Sequence, residues 1–448
     1  MSMADITDIG EARSADHLGS WASQGWGGIC RSRSWILGIL ALIALLNTMD
    51  QAILGVTLPA IQTAFRLADS QVGLLSGAFV IVYGLAVLPA GAWVDRRSRH
   101  ALIALGVALW SACTLMTGLA RSYPQLLAAR MVLGIGEATT LPASVSLLGD
   151  LFTKRERGRA AGALQAALQF GLALGLIGGG VVAARLGWRA AFYVAALPGL
   201  LLAVAAGTLR EPQRGAAEAR GAFTGPARRV EPGAVRRLLC IRSLVAGVLA
   251  NSFVLFASTG VGGFIALYTT RRFGIDLARV GALVGIPLLL GGLVGNTVGG
   301  WLVDRRGHRP ARAPLEIAAA ASVLGAVGLV ATFTARTPAA FAAAFLCATL
   351  AANAGLPGLL AINQNVVLPP LRGTATALQQ LVGNLLGRAL GLVLIGAVSE
   401  HLHDLRLALL VLAPGALVLA AVCAALGLAR LPRDVRTMER EWATLASG

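Results

Sequence analysis

Hydrophobic residues occur in long, nearly continuous runs along this chain, and polar residues gather in the short segments between them. An α-helix rises about 1.5 Å per residue, so about 20 apolar residues cross the roughly 30 Å hydrocarbon core of a membrane. Twelve runs of that kind can be counted. The pattern therefore predicts an all-α polytopic membrane protein with 12 transmembrane helices.

The bounds of the twelve spans follow from where each apolar run starts and stops. The first six are predicted at 35–65, 72–94, 101–120, 124–152, 158–186 and 188–209. The second six are predicted at 243–270, 280–303, 314–335, 338–361, 373–398 and 407–431.

The spans divide into two six-helix halves, residues 35–209 and 243–431. Between them, segment 210–242 is rich in proline and arginine and predicts a solvated linker. An internal repeat supports this division, because GAWVDRRSRH follows span 2 from Gly91 and GWLVDRRGHR follows span 8 from Gly300. Two parallel six-helix repeats are typical of one class of membrane transporter. Residues 1–34 and 432–448 are expected to be cytoplasmic tails.

The composition excludes a soluble globular protein, since only 13% of the residues are charged and 56% are hydrophobic. The net charge of +17 does not indicate nucleic-acid binding, because the arginines concentrate in alternate loops. Cytoplasmic loops of membrane proteins carry such an excess. We therefore predict a multi-pass inner-membrane protein with both termini and the linker in the cytoplasm.

Three ionisable residues lie deep inside the first half. Asp50 is in span 1, and Arg130 and Glu137 are in span 4, two helical turns apart on one face. Arg388 lies at a similar depth in span 11. Charges inside a membrane are costly and indicate function, so an acid that gains and loses a proton here would couple transport to a proton gradient. The alternatives are a static Arg130–Glu137 bridge and a hydrogen-bonded core acid at Asp50.

Amide side chains frame these charges, and their faces should point inward because lipid-facing amides are costly. They are candidate substrate contacts; the alternative is that they only join helices. The candidates are Asn47 and Gln51 in span 1, Gln165 and Gln169 in span 5, and Gln380, Asn384 and Arg388 at i, i+4, i+8 in span 11.

The repeated Gly-x-x-x-Asp-Arg-Arg pattern suits a helix end that meets a short cytoplasmic turn. Glycine permits close helix packing, and the aspartate can pair with an arginine or cap a neighbouring helix. We expect a cytoplasmic latch that closes when the protein faces outward; the alternative is a basic loop that only sets topology. The latch residues would be Gly91, Asp95, Arg96 and Arg99 in the first copy and Gly300, Asp304, Arg305 and Arg309 in the second.

These motifs resemble the major facilitator superfamily, and within it the spinster-like branch. The resemblance implies that Asp50, Arg130 and Glu137 serve proton coupling and substrate transport. One position departs from the branch, where arginine usually follows the span 1 aspartate: here it is Gln51, which bears on how Asp50 is neutralised. The stretches that carry the resemblance are LNTMDQAILGVTLPAIQ (46–62), residues 72–99, RMVLGIGEA (130–138), LLGDLFTKRERGRA (147–160) and GWRAAFYVAALPGLL (187–201).

The function expected from these observations is secondary active transport by alternating access. The resemblance implies an amphipathic or organic anionic small molecule that is coupled to protons and exported rather than taken up. An organic-anion/proton symporter and a passive lipid scramblase are the alternatives. No nucleotide loop, metal-ligand set or nucleophile–base arrangement is found, so we expect no enzyme activity, no metal and no cofactor beyond the proton gradient. Expected partners are the substrate and membrane lipids, with no nucleic acid and no obligate protein partner.

Overall fold

The computed structural model describes residues 33–152, 154–209, 234–306, 312–368 and 371–447, and these are helical almost throughout. The first half contains α1 (Arg33–Phe65), α2 (Asp69–Arg96), α3 (Arg99–Leu119), α4 (Tyr123–Leu151), α5 (Lys154–Leu186) and α6 (Trp188–Gly207). A short helix, α7 (Ala234–Cys240), precedes the second half. That half contains α8 (Arg242–Phe273), α9 (Leu277–Arg305), α10 (Ala313–Thr334), α11 (Pro338–Val366), α12 (Arg372–Leu402) and α13 (Leu405–Ser447).

Twelve of these helices, all but α7, are long and apolar enough to cross a membrane, which confirms the predicted fold class. The largest difference in bounds lies at the C-terminus, where α13 continues well past the predicted end of span 12 at residue 431. The Asp434 carboxylate accepts a hydrogen bond of 2.7 Å from the backbone N–H of Ser243. This contact ties the extension of α13 to the first turn of α8. Residues 1–32 of the predicted tail and 210–233 of the predicted linker lie outside the described part of the chain.

The two halves meet at one end of the molecule. We call this end the outer face; it carries the connections at 66–68, 274–276 and 403–404, and the opposite end is the inner face. The halves join where α2 packs on α12, α5 on α9, and α1 on α8. The outer segment of α12, Leu390–Leu402, packs along α2, whereas its inner segment, Arg372–Val382, makes few contacts there. The space between the halves, called the central chamber below, therefore widens toward the inner face.

Glycine makes the close approaches between helices possible. A Cβ atom on Gly73 of α2 would collide with α12 at Leu392 and Gly396, and one on Gly281 of α9 would collide with the Leu176 carbonyl of α5. Within the first half, Gly175 of α5 packs in the same way against Met49 of α1. Small residues at these crossings bring backbones into van der Waals contact, which drives helix association in lipid.

Substitution of Gly175 by alanine should loosen the α1–α5 crossing. We expect Gly175→Ala to cost about 1–3 kcal/mol because the new methyl group meets backbone atoms of Met49. Gly162→Ala, on the same helix, is the matched control: nothing lies within 4 Å of its added Cβ. That variant should be neutral or stabilised by up to about 1 kcal/mol through helix propensity. Thermal unfolding of the purified proteins in detergent tests this, and equal effects of the two substitutions would contradict it.

Candidate functional site

A buried ion pair joins α1 to α4. Nη1 of Arg130 lies 3.0 Å from Oδ2 of Asp50, and the two residues are only 1% and 2% exposed. The Arg130 guanidinium also lies over the ring of Phe192, 5.5 Å from its centroid. The second oxygen of Asp50 and the Nε and Nη2 atoms of Arg130 have no hydrogen-bond partner among the described residues. Arg130 thus neutralises Asp50 through a single contact.

Glu137 is held by amides instead of a cation. Nε2 of Gln51 donates to Oε2 of Glu137 at 2.9 Å and to Oδ1 of Asn47 at 3.3 Å, and the Asn47 amide lies beside the same carboxyl group. Glu137 is 2% exposed, and its Oε1 is buried without a partner at hydrogen-bond geometry among the described residues. The alternative of a static Arg130–Glu137 bridge is therefore wrong for this conformation, since Arg130 pairs with Asp50.

Tyr83 is a site residue that the sequence analysis missed. It lies on α2, is partly buried, and interacts electrostatically with Glu137 on α4 and with Arg388 on α12. Arg388 is accessible although it sits in the middle of a membrane span, and its interaction with Tyr83 puts it on the side of α12 toward α2. Tyr83 is thus an α2 side chain within electrostatic range of the carboxyl group of the first half and of the cation of the second. A polar ring in an otherwise apolar stretch of span 2 was the available signal.

The three side chains predicted on α12 differ in exposure. Two of them, Asn384 and Arg388, lie in the π-helical stretch Gly383–Ala389 of this helix. Gln380 and Arg388 are exposed, whereas Asn384 is buried with its Cβ against Gly84 of α2. The neighbouring Gln379, which was not predicted, donates to the Leu359 carbonyl at 3.1 Å.

The two amides on α5 have different surroundings. Gln169 reaches across to α9, where its side chain packs against the backbone of Gly292. Gln165, one turn closer to the inner face, is exposed. Thr48 of α1 donates to the Leu168 carbonyl at 2.8 Å and fixes α1 against this part of α5. Gln169 therefore lies between the halves, whereas Gln165 is an accessible side chain closer to the inner face.

The structure describes only part of the predicted latch. Arg99 is buried, pairs with the Asp150 carboxylate of α4 and donates to the Ser146 hydroxyl at 3.2 Å. In the second copy Asp304 and Arg305 are exposed, the Arg305 guanidinium lies 4.9 Å from the Trp301 ring centroid, and Gly300 faces open space. The side chains of Asp95 and Arg96, the surroundings of Gly91, and Arg309 lie outside what is described. Closure of the latch stays a prediction.

Polar contacts across the outer face were not predicted. Arg271 of α8 forms two hydrogen bonds to the Asp69 carboxylate of α2, at 3.0 and 2.7 Å. Asp69 also accepts from Gln62 of α1 at 2.7 Å and from the Ser399 hydroxyl of α12 at 2.6 Å. Arg271 donates to Gln62 at 2.9 Å as well. This outer network of Gln62, Asp69, Arg271 and Ser399 joins two helices of each half.

Comparison with known proteins gives one consistent result. The family model described as Major Facilitator Superfamily matches residues 40–385. The chain is 27% identical to an MFS-type efflux pump of Mycolicibacterium smegmatis over 90% of this chain and 94% of that protein. It is 29% identical to a sphingosine-1-phosphate transporter of Danio rerio over 84% of this chain and 78% of that protein. A crystal structure of a bacterial homolog of human spinster, inward-facing and unoccupied, superposes with a TM-score of 0.74 at 24% identity, covering 91% of this chain and 98% of that one.

Removal of one partner of the Asp50–Arg130 pair should be more harmful than removal of both. Arg130→Met leaves the Asp50 carboxylate buried and uncompensated, which we expect to cost about 3–5 kcal/mol. The double variant Asp50→Asn/Arg130→Met should regain most of that loss. Arg279→Met, which breaks an exposed pair with Asp276, should cost no more than about 1 kcal/mol. A double-mutant cycle of unfolding measurements tests this, and additive effects at 50 and 130 would rule out the coupling.

Proposed function

Because this chain belongs to the major facilitator superfamily and is similar to its spinster-like members, we propose that it exports an anionic, amphipathic small molecule in exchange for protons. Its family consists of membrane transporters, and the chain is a multi-pass membrane protein with twelve candidate spans. Coupling, direction and substrate class are the proposal. The inner-membrane location with both termini in the cytoplasm is part of it, and rests on the placement of the arginines.

The single observation that carries the proposal is the environment of Glu137. A buried carboxylate without a cation has a large desolvation cost, and protonation removes that cost. The only cation in contact with this cluster, Arg130, is paired with Asp50, and Glu137 has amide donors alone among the described residues. Gln51, which bonds to Glu137, is itself exposed. A proton can therefore reach Glu137 from the chamber, which supports Glu137 as the proton carrier and Arg130 as the residue that fixes Asp50.

Arg388 supports an anionic substrate. It is an exposed guanidinium at the depth of Glu137 but in the opposite half, and no described carboxylate pairs with it. Phosphate and carboxylate groups bind arginine through charge-assisted hydrogen bonds. The name of the Danio rerio relative gives sphingosine 1-phosphate, an amphipathic phosphate, as a substrate of that protein. The name of the mycobacterial relative, an efflux pump, favours export over uptake.

Alternating access requires that the outer closure can open. The outer network is the polar part of that closure, since Asp69 and Arg271 belong to different halves. The Arg271 side chain is 44% accessible and the Asp69 side chain 11%, so opening the pair costs more than separating an exposed surface pair and less than breaking a fully buried one. We propose that these contacts stabilise the inward-open state and separate when the substrate site turns outward.

Glu137→Gln should abolish proton-driven transport while leaving membrane insertion unchanged, because the amide cannot exchange a proton. The assay uses proteoliposomes with an imposed pH gradient and a panel that starts with sphingosine 1-phosphate and small organic anions. Glu439→Gln, the same chemical change at an exposed position of α13, is the matched control and should transport normally. Full transport by Glu137→Gln that still responds to a protonophore would refute the proton-carrier role. If wild type moved the substrate equally well without a pH gradient, the scramblase would be favoured. If the substrate accumulated on the side toward which protons flow, the symporter would be favoured.

Asp69→Asn should shift the protein toward conformations that are open at the outer face. The substitution removes the charge that attracts Arg271 but keeps a polar side chain of similar size. Spin labels at residues 121 and 336, on outer connections of the two halves, would report longer distances by double electron–electron resonance. Asp276→Asn neutralises an outer aspartate that bonds only within its own helix turn and should leave the distances unchanged. Identical distributions for all three proteins would remove the outer network from the gating model.

A further inference from the structure

A cluster of exposed arginines lies at the inner face of the second half. Arg236 of α7, Arg242 at the start of α8, and Arg430 and Arg433 near the inner end of α13 are all exposed. We call these four residues the inner arginine patch. They take no part in the proposed transport site, whose charged residues lie near the middle of α1, α4 and α12.

The patch is held together by contacts of the protein itself. The hydrogen bond from Ser243 N–H to Asp434 places α13 directly beside the start of α8. Arg242 precedes Ser243 in the chain, and Arg433 precedes Asp434. The two arginines therefore lie on neighbouring turns of α8 and α13. Leu238 of α7 is fully buried and anchors that short helix to the same region. The positions of the arginines are therefore set by the fold.

Within the described part of the chain, no carboxylate balances the charges of the patch. No described acidic residue forms an ion pair with any of its four arginines, and the one nearby carboxylate, Asp434, is engaged by a backbone N–H. Beside them, Val235 and Leu239 stand one turn apart on α7 and are 45% and 55% exposed. The surface therefore combines guanidinium groups that have no described acidic partner with an aliphatic strip that no described residue covers.

We propose that this surface binds anionic phospholipid of the inner leaflet. Arg242 is the first residue of α8, and Arg430 and Arg433 flank the predicted end of span 12 at residue 431, which is the depth of lipid head groups. Arginine binds phosphate through paired, charge-assisted hydrogen bonds, and basic residues next to spans attract anionic lipid. The aliphatic strip of α7 fits the upper acyl chains, as in interfacial amphipathic helices. A soluble anion would satisfy the arginines but leave Val235 and Leu239 uncovered.

The test measures lipid binding by the full-length protein purified in detergent. Palmitoyl-oleoyl phosphatidylglycerol and the matching phosphatidylcholine are titrated separately, with thermal unfolding and native mass spectrometry as readouts. Wild type should bind phosphatidylglycerol in preference to phosphatidylcholine. The variant Arg236→Gln/Arg242→Gln/Arg430→Gln/Arg433→Gln should bind it about tenfold more weakly, because each removed arginine is an attractive contact to an anionic head group.

The matched control removes the same charge from the outer face through Arg66→Gln/Arg121→Gln/Arg185→Gln/Arg336→Gln, and it should keep the preference. Glycerol 1-phosphate is titrated in the same way as a soluble anion. If it protected the protein against thermal unfolding as well as phosphatidylglycerol does, the ligand would be a soluble phosphate and the proposal would be overturned. Equal binding of both lipids by wild type, or equal losses in the two quadruple variants, would also overturn it. Should the patch variant fail to fold, wild type at raised salt provides the second measurement, since screening should abolish the preference.

Discussion

The cost of charge in an apolar interior governs this molecule. The Asp50–Arg130 pair is nearly inaccessible, and each partner makes the burial of the other tolerable. Arg130 is the one described cation near the centre of the first half, and it is already paired with Asp50. Glu137, two turns along α4 from Arg130, is left with hydrogen bonds from neutral amides. A carboxyl group in that position is stable in its protonated form and costly in its charged form, and this difference is what a proton-coupled cycle needs.

Gln51 explains how this chain tolerates a neutral residue where spinster-like members usually carry arginine after the span 1 aspartate. Its amide does not neutralise Asp50, because Arg130 does so across the helix pair. It bonds instead to Glu137 and Asn47. An arginine at position 51 would give Glu137 a permanent counter-charge. With glutamine there, position 51 gives Glu137 no counter-charge. The charge of Glu137 is then balanced by a proton or by a cation in the central chamber, so its protonation should depend on which cations the chamber holds.

The sequence was sufficient to predict the elements and the depth of the charges, and insufficient to predict their partners. Hydrophobic runs fix where helices cross a membrane, so twelve spans and the central positions of Asp50, Glu137 and Arg388 followed directly. Partner choice depends on helix rotation and tilt, which is why an Arg130–Glu137 bridge stayed open as an alternative although Arg130 pairs with Asp50. The π-helical stretch Gly383–Ala389 has no signal in the hydrophobic pattern of span 11. Asp69 and Arg271 lie far apart in sequence, and nothing in either local pattern identifies the other as its partner.

The contacts between the halves differ in kind from those within each half, and this difference matters for transport. Gly73 and Gly281 place backbones against each other across the outer half of the interface, and the outer network adds directional hydrogen bonds above them. Close packing of this type holds helices together in lipid through van der Waals contact. The outer network adds hydrogen bonds between the halves that separation of this face would break. The ion pair of the outer network is partly exposed, so separating it does not leave a fully buried charge without a partner. The deeply buried Asp50–Arg130 pair lies within one half and can remain intact while the halves move.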